Sequence, residues 1–224
     1  MNIQTIIYWT TICQFLINIG IFALSFYVLF RKWHQASTRY ISDLPFILAL
    51  SYVFLIADRL DSVLGLSGIM PITQISQLIN IFGFVVVLGM NLIIMLTIWI
   101  PKRKRVRLFF MIAWLILWIF MIIILISSPD TIHSILFLMS LPTLILMAIT
   151  WYFCYFQKRL SIINPLLVGI GTTGIIFATL LKAVFIMIGT PIGYVFTDLH
   201  WIALCVDILS YSIMLVGFSK KMSY

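Results

Sequence analysis

"LFFMIAWLILWIFMIIILI", residues 108–126, contains no charged residue and no amide. At ~1.5 Å per helical residue, such a stretch reaches across the ~30 Å hydrocarbon core of a bilayer. The rest of the chain matches it: 63% of residues are hydrophobic, 9% are charged, none is glutamate, and the mean hydropathy is +1.19. A soluble domain normally carries about 25% charged residues. The composition therefore predicts an all-α integral membrane protein.

Working outward from 108–126, similar apolar stretches occur near 6–30, 44–64, 74–100, 134–156, 166–188 and 199–218. Together they predict one domain over 1–224, a bundle of seven transmembrane helices. Pro142 is expected to kink the fifth. Lysine and arginine sort by connection: Arg31, Lys32 and Arg39 follow helix 1, the run "PKRKRVR" (101–107) follows helix 3, Lys158 and Arg159 follow helix 5, and Lys220 and Lys221 follow helix 7. The alternate connections have neither residue. The positive-inside rule then predicts an outside N-terminus and a cytoplasmic C-terminus in a multi-pass protein of the cell membrane.

The opening "MNIQTIIYWTT" has no basic segment before its apolar run and reads as a retained first helix. The net charge of +8 follows from the topology and does not call for a nucleic-acid partner. Residues 101–107 are expected to rest on anionic headgroups, with docking of a cytoplasmic protein as the second reading. Tyr8, Trp9, Tyr194 and Trp201 are expected as aromatic anchors at the outer interface, and Trp33, Tyr40, Trp99, Trp151, Tyr152 and Tyr155 at the inner one. Cys13, Cys154 and Cys205 lack metal or disulfide spacing and read as small buried hydrophobes. Because the helices and short connections use the whole sequence, a signal would have to pass to a separate protein.

A weak internal repeat relates 1–100 to 134–221: "SDLPF" (42–46) and "INPLL" (163–167) each open a helix after a basic connection, and "GLSGIMPITQ" (65–74) resembles "GTPIGYVFTD" (189–198). Helix 4, lacking polar groups, suits a lipid-facing linker between two three-helix halves. In this three-plus-one-plus-three topology the chain resembles the transporter-opsin group of seven-helix proteins, which includes microbial rhodopsins and sugar-transporting relatives. The resemblance implies a seven-helix bundle with a site inside it. Microbial rhodopsins hold retinal on a lysine of helix 7, whereas helix 7 here carries Asp207 and no lysine, so neither retinal nor another cofactor is expected.

The exceptional polar stretch is "LIADRLDSV" (55–63), which puts Asp58, Arg59 and Asp61 inside an apolar helix. Counted from the helix ends, Asp58, Lys182 and Asp207 share one depth, about 10 to 13 Å from the outer boundary. Gln14, Gln77 and Asn80 fall in the same half, and polar residues form one stripe each on helices 1, 3, 6 and 7, among them Asn18, Asn91, Thr172 and Ser210. An unpaired ion at the centre of a membrane helix costs roughly 2.5–3.5 kcal/mol, so pairing is expected. If Asp58, Asp61 and Asp207 are all ionised against Arg59 and Lys182, one negative charge is left over. A protonated carboxyl, a bound cation or hydration of Asp61 would balance it.

The candidate ligand- or ion-binding set is therefore Asp58, Arg59, Asp61, Lys182, Asp207, Gln77, Asn80 and Gln14. Three functions fit it. The first is a sensor or receptor-like protein for a small polar or ionic ligand, the second a small-solute transporter or a proton- or cation-conducting protein, and the third a structural subunit of a membrane complex. A plain helix-packing network is the non-functional reading of the same residues. Asp130 with His133 and Asp198 with His200 match no metal motif and read as turn or cap residues. No nucleophile–histidine spacing or phosphate loop is present, so an enzyme is not expected.

Overall fold

The computed structural model describes residues 3–37, 40, 43–67, 69, 74–100, 102–127, 132–188 and 199–222. These form seven helices and no strand: α1 (Ile3–His34), α2 (Leu44–Leu66), α3 (Gln74–Trp99), α4 (Lys104–Ser127), α5 (Ile132–Phe156), α6 (Pro165–Ile188) and α7 (His200–Ser219). By length and composition, Thr5–His34, Pro165–Phe185 and His200–Ser219 are apolar enough to cross a membrane, three among the described residues where seven spans were expected. Asp58, Arg59 and Asp61 keep α2 from joining them.

Local chemistry sets several helix ends. Pro45 lies in the first turn of α2, and the Asp43 carboxylate before it accepts the Tyr40 N–H at 2.9 Å. Pro165 opens α6, where its missing N–H costs nothing, and the Asn164 carboxamide oxygen caps the helix by accepting the Leu167 N–H at 3.3 Å. α5 continues through Pro142 and ends at a left-handed Lys158, φ 52°, with the Arg159 N–H on Cys154 O and the Lys158 N–H on Tyr155 O, both 3.1 Å. This is a Schellman closure with lysine where glycine is usual.

α1 packs between α2 and α7; α2 continues to α3, α7 to α6 and α6 to α5, and α3 meets α5 to close a ring of six helices. α4 packs beside α3, outside the ring. Beyond the exposed Lys104 and Arg105 of its first turn, its described outward residues are apolar, including Phe109, Ile116 and Phe120 at 60% exposure or more. Trp118 alone among its described side chains is fully buried.

α6 and α7 approach closely because small residues line their contact. A methyl group on Gly171 or Gly174 would collide with Met214 or Ser210 of α7, and one on Gly217 would stand 2.9 Å from Val168 Cγ2. Small residues at such contacts let helix backbones approach closely.

The lysine- and arginine-rich connections gather at one end of the ring, the basic end. There Lys32 Nζ donates to Ile162 O at 2.6 Å, Arg159 Nη1 donates to Ile98 O at 3.2 Å, and Trp99 Nε1 donates to Thr150 Oγ1 at 2.9 Å. The ring interior towards this end is an apolar core of Phe22, Leu48, Tyr52, Trp151, Val168, Met214 and Phe218. Trp151, expected as an interfacial anchor, is 1% exposed and belongs to this core, whereas Trp9, Tyr40 and Trp99 lie on the surface. Cys154 is buried as expected, but Cys13 and Cys205 face outward, because their faces of α1 and α7 point away from the ring.

Candidate functional site

Where the apolar core stops, charge begins. Asp207 of α7, 1% exposed, receives two cations from different helices. Lys182 Nζ of α6 donates directly to its Oδ2, and Arg59 Nη2 of α2 lies 3.8 Å from the same oxygen. Asp58 Oδ2 in turn lies 3.8 Å from Arg59 Nε.

Helix polarity explains why these groups meet. Each Cα–Cβ bond tilts toward the N-terminus of its helix. α2 and α6 both start at the basic end, so Arg59 and Lys182 lean toward that end, while Asp207 on the oppositely directed α7 leans toward them. The glycine-mediated contact of α6 with α7 brings Lys182 within reach.

A buried carboxylate is tolerable only when its pairing is good. At 3.8 Å the Arg59–Asp207 attraction is about 4 kcal/mol for an effective dielectric near 20, and the Lys182 bond is charge-assisted. Arg59 is further held by the Phe15 ring, whose centroid is 5.4 Å from its Cζ, and by the Tyr211 hydroxyl beside it. Tyr211, one turn from Asp207, touches Phe22 at 4.6 Å between ring centroids; Phe22 touches Tyr52, and Tyr52 touches Phe218. These rings form an aromatic floor between the ions and the basic end.

Of the residues singled out from sequence, Asp58, Arg59, Lys182 and Asp207 come together in one ion-paired group. Its formal charge is zero. Asp61, one turn farther along α2, is half-buried, makes interactions of its own and lies within Coulombic range of Asp58. Gln14 is buried and bound to α7, its Nε2 at 3.0 Å from both Trp201 O and Cys205 Sγ. The side chains of Gln77 and Asn80 lie outside the described residues, as do Asp130, Asp198 and the side chain of His133. His200 is buried at the start of α7, and among the described residues no group of three metal-ligating side chains occurs.

Two neighbours of the ions, Phe15 and Tyr211, were not in the expected set, nor was the buried Asn18 of α1. Tyr211 follows Asp207 by four residues and Asn18 follows Gln14 by four, so helical spacing already put them on the same faces. Asn18 is completely buried with neither amide atom hydrogen-bonded. Leaving such groups unmatched costs on the order of 1–3 kcal/mol.

Two of the buried hydroxyls nearer the basic end, those of Thr172 and Ser210, are satisfied within their own helices, whereas Ser25 of α1 makes no such bond. Thr172 Oγ1 donates to Val168 O at 2.8 Å and Ser210 Oγ to Val206 O at 2.6 Å. Such back-bonding leaves Thr172 and Ser210 poor relays for a polar path. Among protein-family models, curated proteins and solved structures, none matches this chain.

Proposed function

We propose that the chain is a seven-span integral membrane protein of the cell membrane, N-terminus outside and C-terminus cytoplasmic, acting as a sensor or receptor-like module for a small polar or ionic ligand. The apolar exterior of the helices, the three long apolar helices and the gathering of basic residues at one end support the membrane reading. The two helix triples flanking α4 also suit a duplicated three-helix unit.

One observation carries the functional reading: Asp207 is shared by Arg59 of α2 and Lys182 of α6, above an aromatic floor. A ligand that takes over one of these cations removes a tie between α7 and α2 or α6. Those helices then shift relative to each other, and the basic connections at the other end move with them. Lys102, Arg103, Lys104 and Arg105 are exposed there and suit an acidic cytoplasmic partner or anionic headgroups. The position of the ions to one side of the core favours sensing over transport, since no further charged group among the described residues lines the ring interior toward the basic end.

The alternative is a transporter or a proton- or cation-conducting protein in which Asp58 and Asp207 exchange the ion and Lys182 supplies the counter-charge. The buried Asn91, beside the core on α3, favours it as an inward step. Purified protein in liposomes decides between the two. Proton or cation flux that falls in Asp58→Asn and Asp207→Asn would refute a pure receptor; ligand-induced protection of the basic connections from proteolysis without flux is the expected result.

A further inference from the structure

Two buried amides of α1 carry polar atoms without a hydrogen-bond partner: neither amide atom of Asn18 is hydrogen-bonded, and Gln14 Oε1 is likewise unmatched. Arg59 Nε also makes no hydrogen bond and meets the Asp58 carboxylate only as an ion pair at 3.8 Å. The level of Asn18 follows from its neighbours on α1. One turn to one side, Gln14 meets Trp201 and Cys205; one turn to the other, Phe22 packs on Tyr211. Asp207 lies between those α7 residues, so Asn18 stands at its level on the adjoining helix. Phe15, under the Arg59 guanidinium, precedes Asn18 by three residues on the same face.

The ion-paired group contains two cations and two carboxylates. A lone anion entering it would draw a cation away and leave a buried carboxylate uncompensated. A lone cation would do the converse to Arg59 or Lys182. A ligand with both charges disturbs neither balance: its carboxylate replaces Asp207 on Lys182, and its ammonium takes up the released Asp207. The Asn18 amide suits both poles, its N–H groups donating to the carboxylate and its oxygen accepting from the ammonium. Access is from the side of Asp58 and Lys182, whose side chains keep 26% and 20% exposure.

We infer that the site formed by Asp58, Arg59, Lys182, Asp207, Asn18 and Gln14 binds a small zwitterion of amino-acid size. The inference rests on the receptor-like reading and specifies its ligand class.

The test uses the full chain in lipid nanodiscs, with binding measured by calorimetry and by the shift in thermal unfolding. The probes are the zwitterions L-alanine and γ-aminobutyrate, the anion propionate and the cation propylamine. One of the zwitterions should bind the native chain at least about tenfold more tightly than either single-charge probe, a difference of ~1.4 kcal/mol, and Asn18→Leu should lose that advantage. Preference should then follow site charge. Lys182→Met, with one excess negative charge, should favour propylamine, and Asp207→Asn, with one excess positive charge, should favour propionate. A native chain that prefers propionate or propylamine overturns the zwitterion inference and leaves the receptor reading standing. So does a preference that stays the same in both variants. If no probe binds the native chain or any variant, both are overturned.

Discussion

Replacing Lys182 by methionine should destabilise the native chain yet leave an Asp207→Asn background unharmed or improved. In the native chain Lys182 and Arg59 share the Asp207 carboxylate, which is 2% exposed. Losing Lys182 leaves Arg59 at 3.8 Å to compensate, so the cost should be about 1–2 kcal/mol, less than the 3–5 kcal/mol of breaking a buried pair outright. Losing the Asp207 charge strips both cations of their shared partner. Asp58 still serves Arg59, but Lys182 keeps only its partial exposure, and about 3–5 kcal/mol should be lost. In that background Lys182 is an unpaired buried cation, and methionine of similar length removes a penalty. The sign of the Lys182→Met effect therefore changes between backgrounds, with a coupling energy of about 1.5–3 kcal/mol. Equilibrium unfolding in mixed micelles, followed by tryptophan fluorescence and helical circular dichroism on all four proteins of the cycle, measures it. If Lys182→Met costs the same within about 0.5 kcal/mol in both backgrounds, the two side chains are not coupled and the reasoning fails.

Other expectations can be checked on the same footing. Gly171→Ala and Gly174→Ala, whose new methyl groups meet α7, should each cost about 1–3 kcal/mol in the micelle assay, whereas Gly20→Ala, with open space around it, should gain about 0.5–1 kcal/mol. Lys158→Gly relieves a left-handed backbone at the end of α5 and should raise stability by up to about 1 kcal/mol. In a cysteine-free background, Lys104→Cys should react with a membrane-impermeant maleimide only after the cells are permeabilised, while a tag on the N-terminus should be accessible in intact cells; the reverse pattern would contradict the proposed orientation.

The helix pattern was legible because periodicity and charge punctuation agree along the chain. Expected and observed limits differ by only a few residues, and the larger differences have a common cause. α1 runs on to His34 and α4 starts at Lys104 because lysine and arginine are good helix formers that also mark the edge of an apolar stretch. The shared depth of Asp58, Lys182 and Asp207 was likewise countable from the helix ends. Which neighbour each side chain meets was not. Helical phase assigns a residue to a face but does not say which helix stands opposite, and α7 lying between α1 and α6 is a property of the assembled ring. That is why Arg59, rotated away from Asp58 on the helix, proves to be the α2 residue that reaches Asp207. Asn18 shares the face of Gln14, but its missing partners become visible only once α1 is packed. An aromatic near a helix end satisfies the anchor pattern whether it points outward or into the ring, and Trp151 points into the ring.

The convergence of α2, α6 and α7 on one buried ion-paired group hinges on the contact between Lys182 and Asp207. Solid-state rotational-echo NMR on the full chain in lipid bilayers, with lysine labelled by 15N at Nζ and aspartate by 13C at Cγ, reads that contact directly. A strong short-range Lys–Asp coupling that disappears in Lys182→Met and in Asp207→Asn is the predicted result. A spectrum without such a coupling, or one in which it survives both substitutions, would contradict the shared site.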